Sequence, residues 1–535
     1  MAGSLAVAGE QPSRKEMRLI IGASSLGTLF EWYDFFIYGT LAPIIGRVFF
    51  PTGNPTVELL LSLAGFAVGF GFRPLGAALF GYLGDRLGRK YTFLMTITLM
   101  GLATAAIGFI PSEAAIGAAA PIIIIGLRII QGLALGGEYG GAAIYVSEHA
   151  PKDRRGYFTS FIQASVPGGF ILSILVVLGT KSVVGPEAWE AWAWRLPFIL
   201  SLLLLVVSLY MRLKLRESPV FKAMKEAGET SANPLKESFT YPGNKRRLFV
   251  ALFGLAAGLT VIWYTAMYGA LFFLTGPQRM ENSAAELVVG AGALAGLFWF
   301  VFFGWLSDRV GRKKPIVAGY IATLLLLFPL FHLMGDAANP NLAEAARRAP
   351  IIVSGNDCTY NPFAKEQLTE CGRLLHKLST RGLSYITKEG KAGSGSVQLR
   401  IGGTVLTEHT DTALDAELTR AGYDLGKVIP SNGNIAIIIL AILGLSALSG
   451  ATYGPAAALL SELFPPRIRY SSMSIPYHIG TGYFGGFLPL VSQYVVARTG
   501  DPYAGLWYTF GVVAMALVVT IFGLSETRGR ALDAA

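Results

Sequence analysis

Long apolar runs separated by short polar breaks organise this chain. About twelve runs, near 19–46, 58–83, 91–110, 119–147, 157–180, 195–213, 248–275, 286–306, 315–334, 434–460, 471–497 and 504–524, reach the ~20 residues that carry a helix across a bilayer. The ten-residue alternation of a membrane β-barrel is not the pattern. The runs therefore predict an all-α membrane protein. The polar start MAGSLAVAGEQPSRKEMR lacks the short apolar core and small-residue cleavage site of a signal peptide, so the first span is expected to stay in the membrane. Between 335 and 432 the pattern changes. A strand-like VQLRIGGTVL (397–406) lies among turn residues and two amphipathic pieces, LHKLSTRGLSY (375–385) and LDAELTRAGYDL (414–425). This stretch predicts a small α+β insertion between the ninth and tenth spans, with a disordered loop as the alternative.

Composition and charge then orient the spans. The 535 residues are 53% hydrophobic and 15% charged, where a soluble domain carries about 25% charged residues. The net charge of +10 resides in loops. On one side the short loops hold only Arg47, Lys181, Arg279 and Arg498; the loops and tails of the other side are rich in Lys and Arg. This asymmetry places both termini in the cytoplasm of a bacterial inner membrane, and basic loops attract acidic lipid heads. No nucleic-acid motif accompanies the charge. A long loop crosses largely regardless of charge, so 335–432 is expected in the periplasm. It contains both cysteines, Cys358 and Cys371. An oxidising compartment allows a disulfide between them, and two free thiols are the alternative.

An internal repeat sets the domains. GYLGDRLGRK (81–90) returns as GWLSDRVGRK (304–313), identical at seven of ten positions. Ser147, Glu148, Pro151 and Arg155 return as Ser461, Glu462, Pro465 and Arg469. Both echoes fall on cytoplasmic loops, so the second six spans repeat the first six in parallel, the arrangement of major facilitator transporters. The expected units are a six-helix half (1–213), a charged linker (214–247), helices seven to nine (248–334), the insertion (335–432) and helices ten to twelve with a short tail (433–535).

Ionisable residues inside spans cost about 2.5–3.5 kcal/mol each and usually line a cavity. Glu31, Asp34 and Tyr38 share one face of the first span within about 60°; Arg128, Gln131, Leu135 and Glu138 share a face of the fourth within about 80°. Arg73 lies about 18 Å of helix before Asp85, near mid-membrane. Two readings are open. The acids and arginines form a buried ion-pair network that fixes packing, or they form a proton site beside an anion site. In the second, burial disfavours a charged carboxylate and a nearby guanidinium favours it, so an anion that occupies the arginine promotes proton uptake. Proton candidates are Asp34, Glu31, Glu138 and His478. Arg73 and Arg128 are the anion hooks, since a guanidinium matches a carboxylate with two bonds; an alternative pairs Arg128 with an acid of the first span. Gln131, Tyr38, Gln163, Trp263, Tyr264, Tyr268 and Tyr477 complete the candidate substrate site, with packing as the alternative for the aromatics. Asp85, Arg86 and Arg89, repeated as Asp308, Arg309 and Arg312, read as a gate of breakable charge contacts at the cytoplasmic face, with topology alone as the alternative. The glycines of GGEYGG and PGGF let helices pack closely.

With these motifs in view the chain resembles the metabolite:proton symporter family of the major facilitator superfamily. The resemblance rests on FEWYDFFIYG, GFRPLGAALFGYLGDRLGRK, RIIQGLALGGE, GGEYGGAAIYVSEHAPKDRRG and MRLKLRESPVF, and covers both halves except about 335–432. It implies twelve helices and proton-driven uptake of shikimate, 2-oxoglutarate, citrate or a related acid, or of proline or betaine. The short tail SETRGRALDAA counts against the osmolyte carriers, and His478 stands where the family often has Asn. The expected function is symport of a small organic anion with protons by alternating access. The expected protein is a monomer without metal or cofactor, driven by the proton gradient, and not an enzyme. A proline/betaine carrier and a transporter-like sensor are the alternatives.

Overall fold

The computed structural model describes residues 14–87, 89–137, 139–213, 233–364, 366–389, 397–406 and 408–532. Among them nine helical runs are long and apolar enough to cross a membrane: Pro55–Phe80, Ala119–His149, Arg155–Val184, Ala193–Met211, Asn244–Thr275, Asn282–Val310, Lys313–Ala338, Asn432–Leu463 and Leu506–Gly523. Three further stretches join the bundle. The first helix, Arg14–Thr40, carries buried polar residues; Arg89–Ile107 has a shorter apolar core, Leu94–Ile107; and 469–499 passes through a π-helical turn at Gly480–Gly486. The spans predicted as equals are therefore unlike one another, and the irregular ones carry much of the polar chemistry.

Local sequence sets several boundaries. Asn54 starts the Pro55–Gly71 helix by accepting the amides of Thr56 and Val57, with Pro55 at the first position where no donor is needed. Gly311 ends Asn282–Val310 at φ +101°, a conformation that a side chain would strain. This accounts for the glycine in the repeated GRK.

The helices before residue 214 meet those after 243 along a seam. Arg155–Val184 packs on both the first helix and Asn282–Val310, and Pro55–Gly71 packs on Gly480–Gly486. Within the first half, glycine allows the closest approach. A Cβ on Gly132 would stand 1.8 Å from the Gly69 carbonyl oxygen, and one on Gly136 would stand 2.1 Å from that of Arg73. Ala119–Gly136 thus lies directly against Pro55–Gly71 and Arg73–Leu87, with Arg128 beside Gly69 and Gly136 beside Arg73.

The stretch after Lys313–Ala338 folds as an α+β unit. Strands β1 (Ile351–Gly355), β2 (Ile386–Glu389), β3 (Gln398–Ile401) and β4 (Thr404–Leu406) form a sheet in the order β2-β1-β3-β4. β2 runs parallel to β1, while β3 runs antiparallel to β1 and to β4. Alternate residues Ile351 and Val353 of β1, with Leu399 and Ile401 of β3, face helices Glu370–Thr380 and Asp411–Arg420, burying Leu374, Leu378, Leu414 and Leu418 in a core separate from the bundle. Cys358 and Cys371 form a disulfide, Cα–Cα 5.0 Å, tying the loop after β1 to the helix that covers it.

Gly132→Ala forces two backbones apart and should cost about 1–3 kcal/mol. Gly126 lies on the same helix with nothing near its Cβ position, so Gly126→Ala should be neutral or gain up to about 1 kcal/mol. Thermal unfolding of both variants in detergent checks the contrast.

Candidate functional site

The Arg128 guanidinium is fully buried and lies over the rings of Phe35, 4.1 Å, and Tyr38, 4.4 Å. Its Nη1 donates to Gln131 Oε1 at 2.6 Å, Gln131 Nε2 donates to Thr104 Oγ1 at 2.7 Å, and the Thr104 hydroxyl donates to the Met100 carbonyl at 2.8 Å, with the Asp34 carbonyl farther off at 3.4 Å. Nε and Nη2, the side-on edge of the guanidinium, make no hydrogen bond among the described residues. The alternative that pairs Arg128 with an acid of the first helix is corrected here. Aromatic rings of that helix occupy the place of a carboxylate, and cation–π attraction compensates part of the desolvation. Asp34, 5% exposed, has Oδ1 without a partner and no basic side chain within ion-pairing distance among the described residues. Glu31 is buried beside it on the same helix. The Tyr38 hydroxyl donates to the Ser62 carbonyl at 3.2 Å, which holds its ring against Arg128.

Arg73, also buried, lies over Trp32 and Phe70, 5.2 Å from each ring. Its helix is packed by Arg469–Ile479, which carries Tyr477 and His478. Both His478 ring nitrogens lack a hydrogen-bond partner among the described residues. Gln163 is buried in Arg155–Val184. Glu138 lies outside the described residues, as do the side chains of Asp85, Arg86 and Arg89.

Across the seam, Trp263, Tyr264 and Tyr268 face aromatics of the first half. Phe36 stacks on Trp263 at 5.0 Å, Phe70 meets Tyr264 edge-on at 5.6 Å and Phe170 meets Tyr268 at 5.0 Å. Tyr268 Oη donates to the Phe36 carbonyl at 2.9 Å. Phe36, Phe66, Phe70, Phe170 and Trp32 are absent from the sequence-derived candidates. Hydrophobicity does not distinguish a seam-facing phenylalanine from a lipid-facing one; the one-turn spacing of Phe66 and Phe70 was the available signal. The π-helical turn Thr265–Gly269 surrounds Tyr268, and Gly480–Gly486 follows His478. Such turns relax the helical bond ladder and frequently occur at functional sites.

A second cluster closes the seam at the end that bears the repeated loops. The Asp308 carboxylate accepts the amides of Gly156, 2.8 Å, and Tyr157, 2.7 Å, so an acid of one half caps a helix of the other. Arg312 donates to Asp308 at 2.6 Å and to Glu462 at 3.0 Å. Burial works against the Arg312 charge, but Glu462 and Asp308 outweigh it and raise its pKa. The second sequence echo takes on meaning here. Arg155 pairs with Glu462 at 2.8 Å, and the equivalent residues pair in the opposite sense, Arg469 with Glu148 at 3.5 Å. These partners were legible as a repeat but not as contacts. Arg309 takes no part: it is exposed and stacks on Trp305 at 4.0 Å. The tail crosses the cluster. Thr527 donates to Glu462 at 2.8 Å, the Arg530 carbonyl accepts from Arg155, and Glu526 accepts the amides of Arg312 and Lys313.

Comparison with known proteins places this geometry. Residues 19–251 match the sugar (and other) transporter family. The inner membrane metabolite transport protein YhjE of Escherichia coli K12 is 30% identical over 529 residues, 96% of this chain and 95% of its own. The shikimate transporter of the same organism is 36% identical over 58% of this chain and 70% of its own, and the proline/betaine transporter of Salmonella typhimurium is 36% identical over 60% and 65%. A solved structure of the proton:xylose symporter XylE, bound to 6-bromo-6-deoxy-D-glucose, superposes with a TM-score of 0.61, covering 97% of this chain and 98% of that one at 16% identity. With its seam between helical halves, its buried arginines and its overall fold, the chain belongs to the metabolite transporters of the major facilitator superfamily.

Proposed function

We propose that this transporter takes up a small organic acid together with protons, by rocking of two parallel six-helix halves around the Arg128 layer. The carrying observation is the buried Nε–Nη2 edge of Arg128, a two-donor edge without an acceptor. An unmet buried donor costs about 1–3 kcal/mol, more when charged, and a substrate carboxylate supplies both acceptors at once. Asp34 supplies the proton site, assisted by Glu31, Glu138 and His478; Arg73, Gln131, Tyr38, Gln163 and the Trp263–Tyr268 aromatics surround the substrate. The energy source is the proton gradient, without metal or cofactor, in a monomer. Twelve spans lie in a bacterial inner membrane, with cytoplasmic termini and a periplasmic insertion.

One observation favours a second reading. Phe36, Trp263, Tyr264 and Tyr268 make an aromatic enclosure suited to a quaternary ammonium group, which fits a betaine carrier. Uptake of labelled shikimate, 2-oxoglutarate, citrate and betaine by proteoliposomes under an inward proton gradient separates the two; no uptake of any acid removes the first. For the acid carried, Arg128→Lys should raise KM by about tenfold or more, because an ammonium lacks the paired donors. Asp34→Asn should abolish accumulation while counterflow exchange persists; normal accumulation removes Asp34 as the coupling group.

The Asp308, Arg312, Glu462 and Arg155 cluster, with Glu148 and Arg469, acts as the cytoplasmic gate, and the Asp85, Arg86 and Arg89 repeat is its counterpart. Breaking a buried pair costs about 3–5 kcal/mol. Arg155→Glu should therefore increase labelling of cysteines placed on the cytoplasmic side of the seam, and the exchange Arg155→Glu/Glu462→Arg should reverse part of that gain.

Glu526 provides a pH test. Partial burial opposes its charge, but the amides of Arg312, Arg528, Lys313 and Thr527 hold its pKa below the ordinary 4.5. A depressed carboxylate stabilises the fold above the unfolded value and loses that contribution as pH falls through the folded one. The melting difference between wild type and Glu526→Gln should be present at pH 7 and should close on acidification below pH 4.5.

A further inference from the structure

The α+β insertion covers a cavity. Its volume is about 620 Å³, and its walls come from three parts of the chain: Arg47 and Glu58 from the first half, Phe272 and Arg279 from the second, and Tyr385 and Lys427 from the insertion. This space lies at the end of the bundle opposite the repeated loops and is distinct from the Arg128 layer.

The insertion is anchored to one half only. Val428 pairs with Met280 in a parallel bridge, its amide donating to the Arg279 carbonyl at 2.9 Å and its carbonyl accepting from Glu281 at 2.8 Å. The Tyr385 amide donates to the Gly500 carbonyl at 3.2 Å, and its ring lies against Gly500. The Arg279 guanidinium donates to the Leu425 and Arg381 carbonyls. Toward the first half, helix Glu370–Thr380 touches Pro55–Gly71, and among the described residues no hydrogen bond or ion pair joins the two. The roof therefore travels with the second half, and the cavity beneath it changes shape when the halves rock.

The charges in this cavity are unequally compensated. Arg47 pairs with Glu190 at 2.7 Å, and Arg381 pairs with Asp411 and Asp415 at 3.0 and 2.9 Å. One Glu58 oxygen accepts the amides of Thr52 and Gly53, at 3.0 Å each. Arg279 and Lys427 have carbonyls as partners and no carboxylate in an ion pair: Lys427 Nζ donates to the Thr275 carbonyl at 2.5 Å, and Arg279 Nε is buried without a partner. Lys427 is exposed on the cavity wall; partial burial and then Arg279 lower its pKa, with Glu281 working in the opposite direction, and Asp424 favours the Arg279 charge. An anion in the cavity that both line relieves the repulsion between the two cations.

We propose that this cavity is an antechamber where a small carboxylate is held by Lys427 and Arg279 before it passes between the helices, with the insertion as its roof. This rests on the organic-acid reading of the transporter, and the test separates the two.

The first arm measures uptake of labelled 2-oxoglutarate, shikimate and citrate by proteoliposomes. For the acid carried, Lys427→Gln should raise KM about fivefold and Lys427→Glu more than about tenfold, with kcat retained, because the charge acts on the substrate before the rocking step. Lys427→Arg, which keeps the positive charge, should restore KM to within about twofold of wild type; the retained kcat of the Gln and Glu variants separates a charge acting on substrate from a structural role of the Thr275 hydrogen bond. A Lys427→Glu protein that transports with unchanged KM overturns the proposal and leaves the organic-acid reading intact. The second arm is independent of transport: the same acids are titrated calorimetrically into full-length Arg128→Ala protein, which lacks the midplane hook. Saturable binding that Lys427→Glu removes supports the antechamber even where uptake fails. No binding to Arg128→Ala, with the protein folded by its melting curve, overturns it.

Discussion

A guanidinium taken out of water must find acceptors or π faces, and this requirement organises the first half of the molecule. Arg128 and Arg73 are both fully buried; three aromatic rings cover the first and two the second. Those rings come from FEWYDFFIYG and from the Phe66–Phe70 stripe, so the first and second spans must stand close to the fourth. Gly132 and Gly136 permit that distance. Rings solvate the faces of a guanidinium but leave the edge donors of Arg128 unmet among the described residues. Had a carboxylate of the first helix paired with it, those donors would have been satisfied.

The repeated-loop end uses charge in another way. Buried ion pairs contribute little net stability because desolvation offsets their attraction; what they supply is a defined joint. Arg155 with Glu462 and Arg469 with Glu148 are one pairing made twice, in opposite senses, across the pseudo-symmetric halves. Asp308 adds a helix cap between halves. A joint built of short polar bonds, with glycine at Gly156 and Gly304 where backbones nearly touch, holds the two halves together without a hydrophobic core. The aromatic seam of Phe36, Phe170, Trp263 and Tyr268 meets the opposite demand: it excludes water from the layer where the acids and arginines lie.

The insertion breaks the symmetry. It has its own core and disulfide and, among the described residues, is hydrogen-bonded to the second half alone. Any relative movement of the halves must therefore displace it with respect to the first. The space between it and the neighbouring helices is lined by charged residues of all three parts of the chain, Lys427 and Arg279 among them.

Some of this was determined by the sequence alone. Apolar runs of spanning length leave a chain little choice but helices, because a backbone without water must bond to itself. The 81–90 and 304–313 echo revealed the repeat, and the polar stripes of the first and fourth spans singled out Asp34 and Arg128, with Arg73 marked by its distance from Asp85, because a charge in an apolar run is costly and therefore conspicuous. The strand-like and amphipathic pieces between 335 and 432 announced the α+β unit. Tertiary structure alone decided partners. Glu148, Arg155, Glu462 and Arg469 read as an echo without a contact, since nothing in a one-dimensional pattern says which acid meets which base. Arg309 looked equivalent to Arg312 and lies on the surface, because one step of 100° past buried Asp308 turns it toward solvent, whereas Arg312 follows the chain reversal at Gly311. The aromatics around Arg128 and Tyr268 stayed hidden for a related reason: hydrophobicity records that a phenylalanine avoids water, and only packing decides whether lipid, a guanidinium or another ring takes its place.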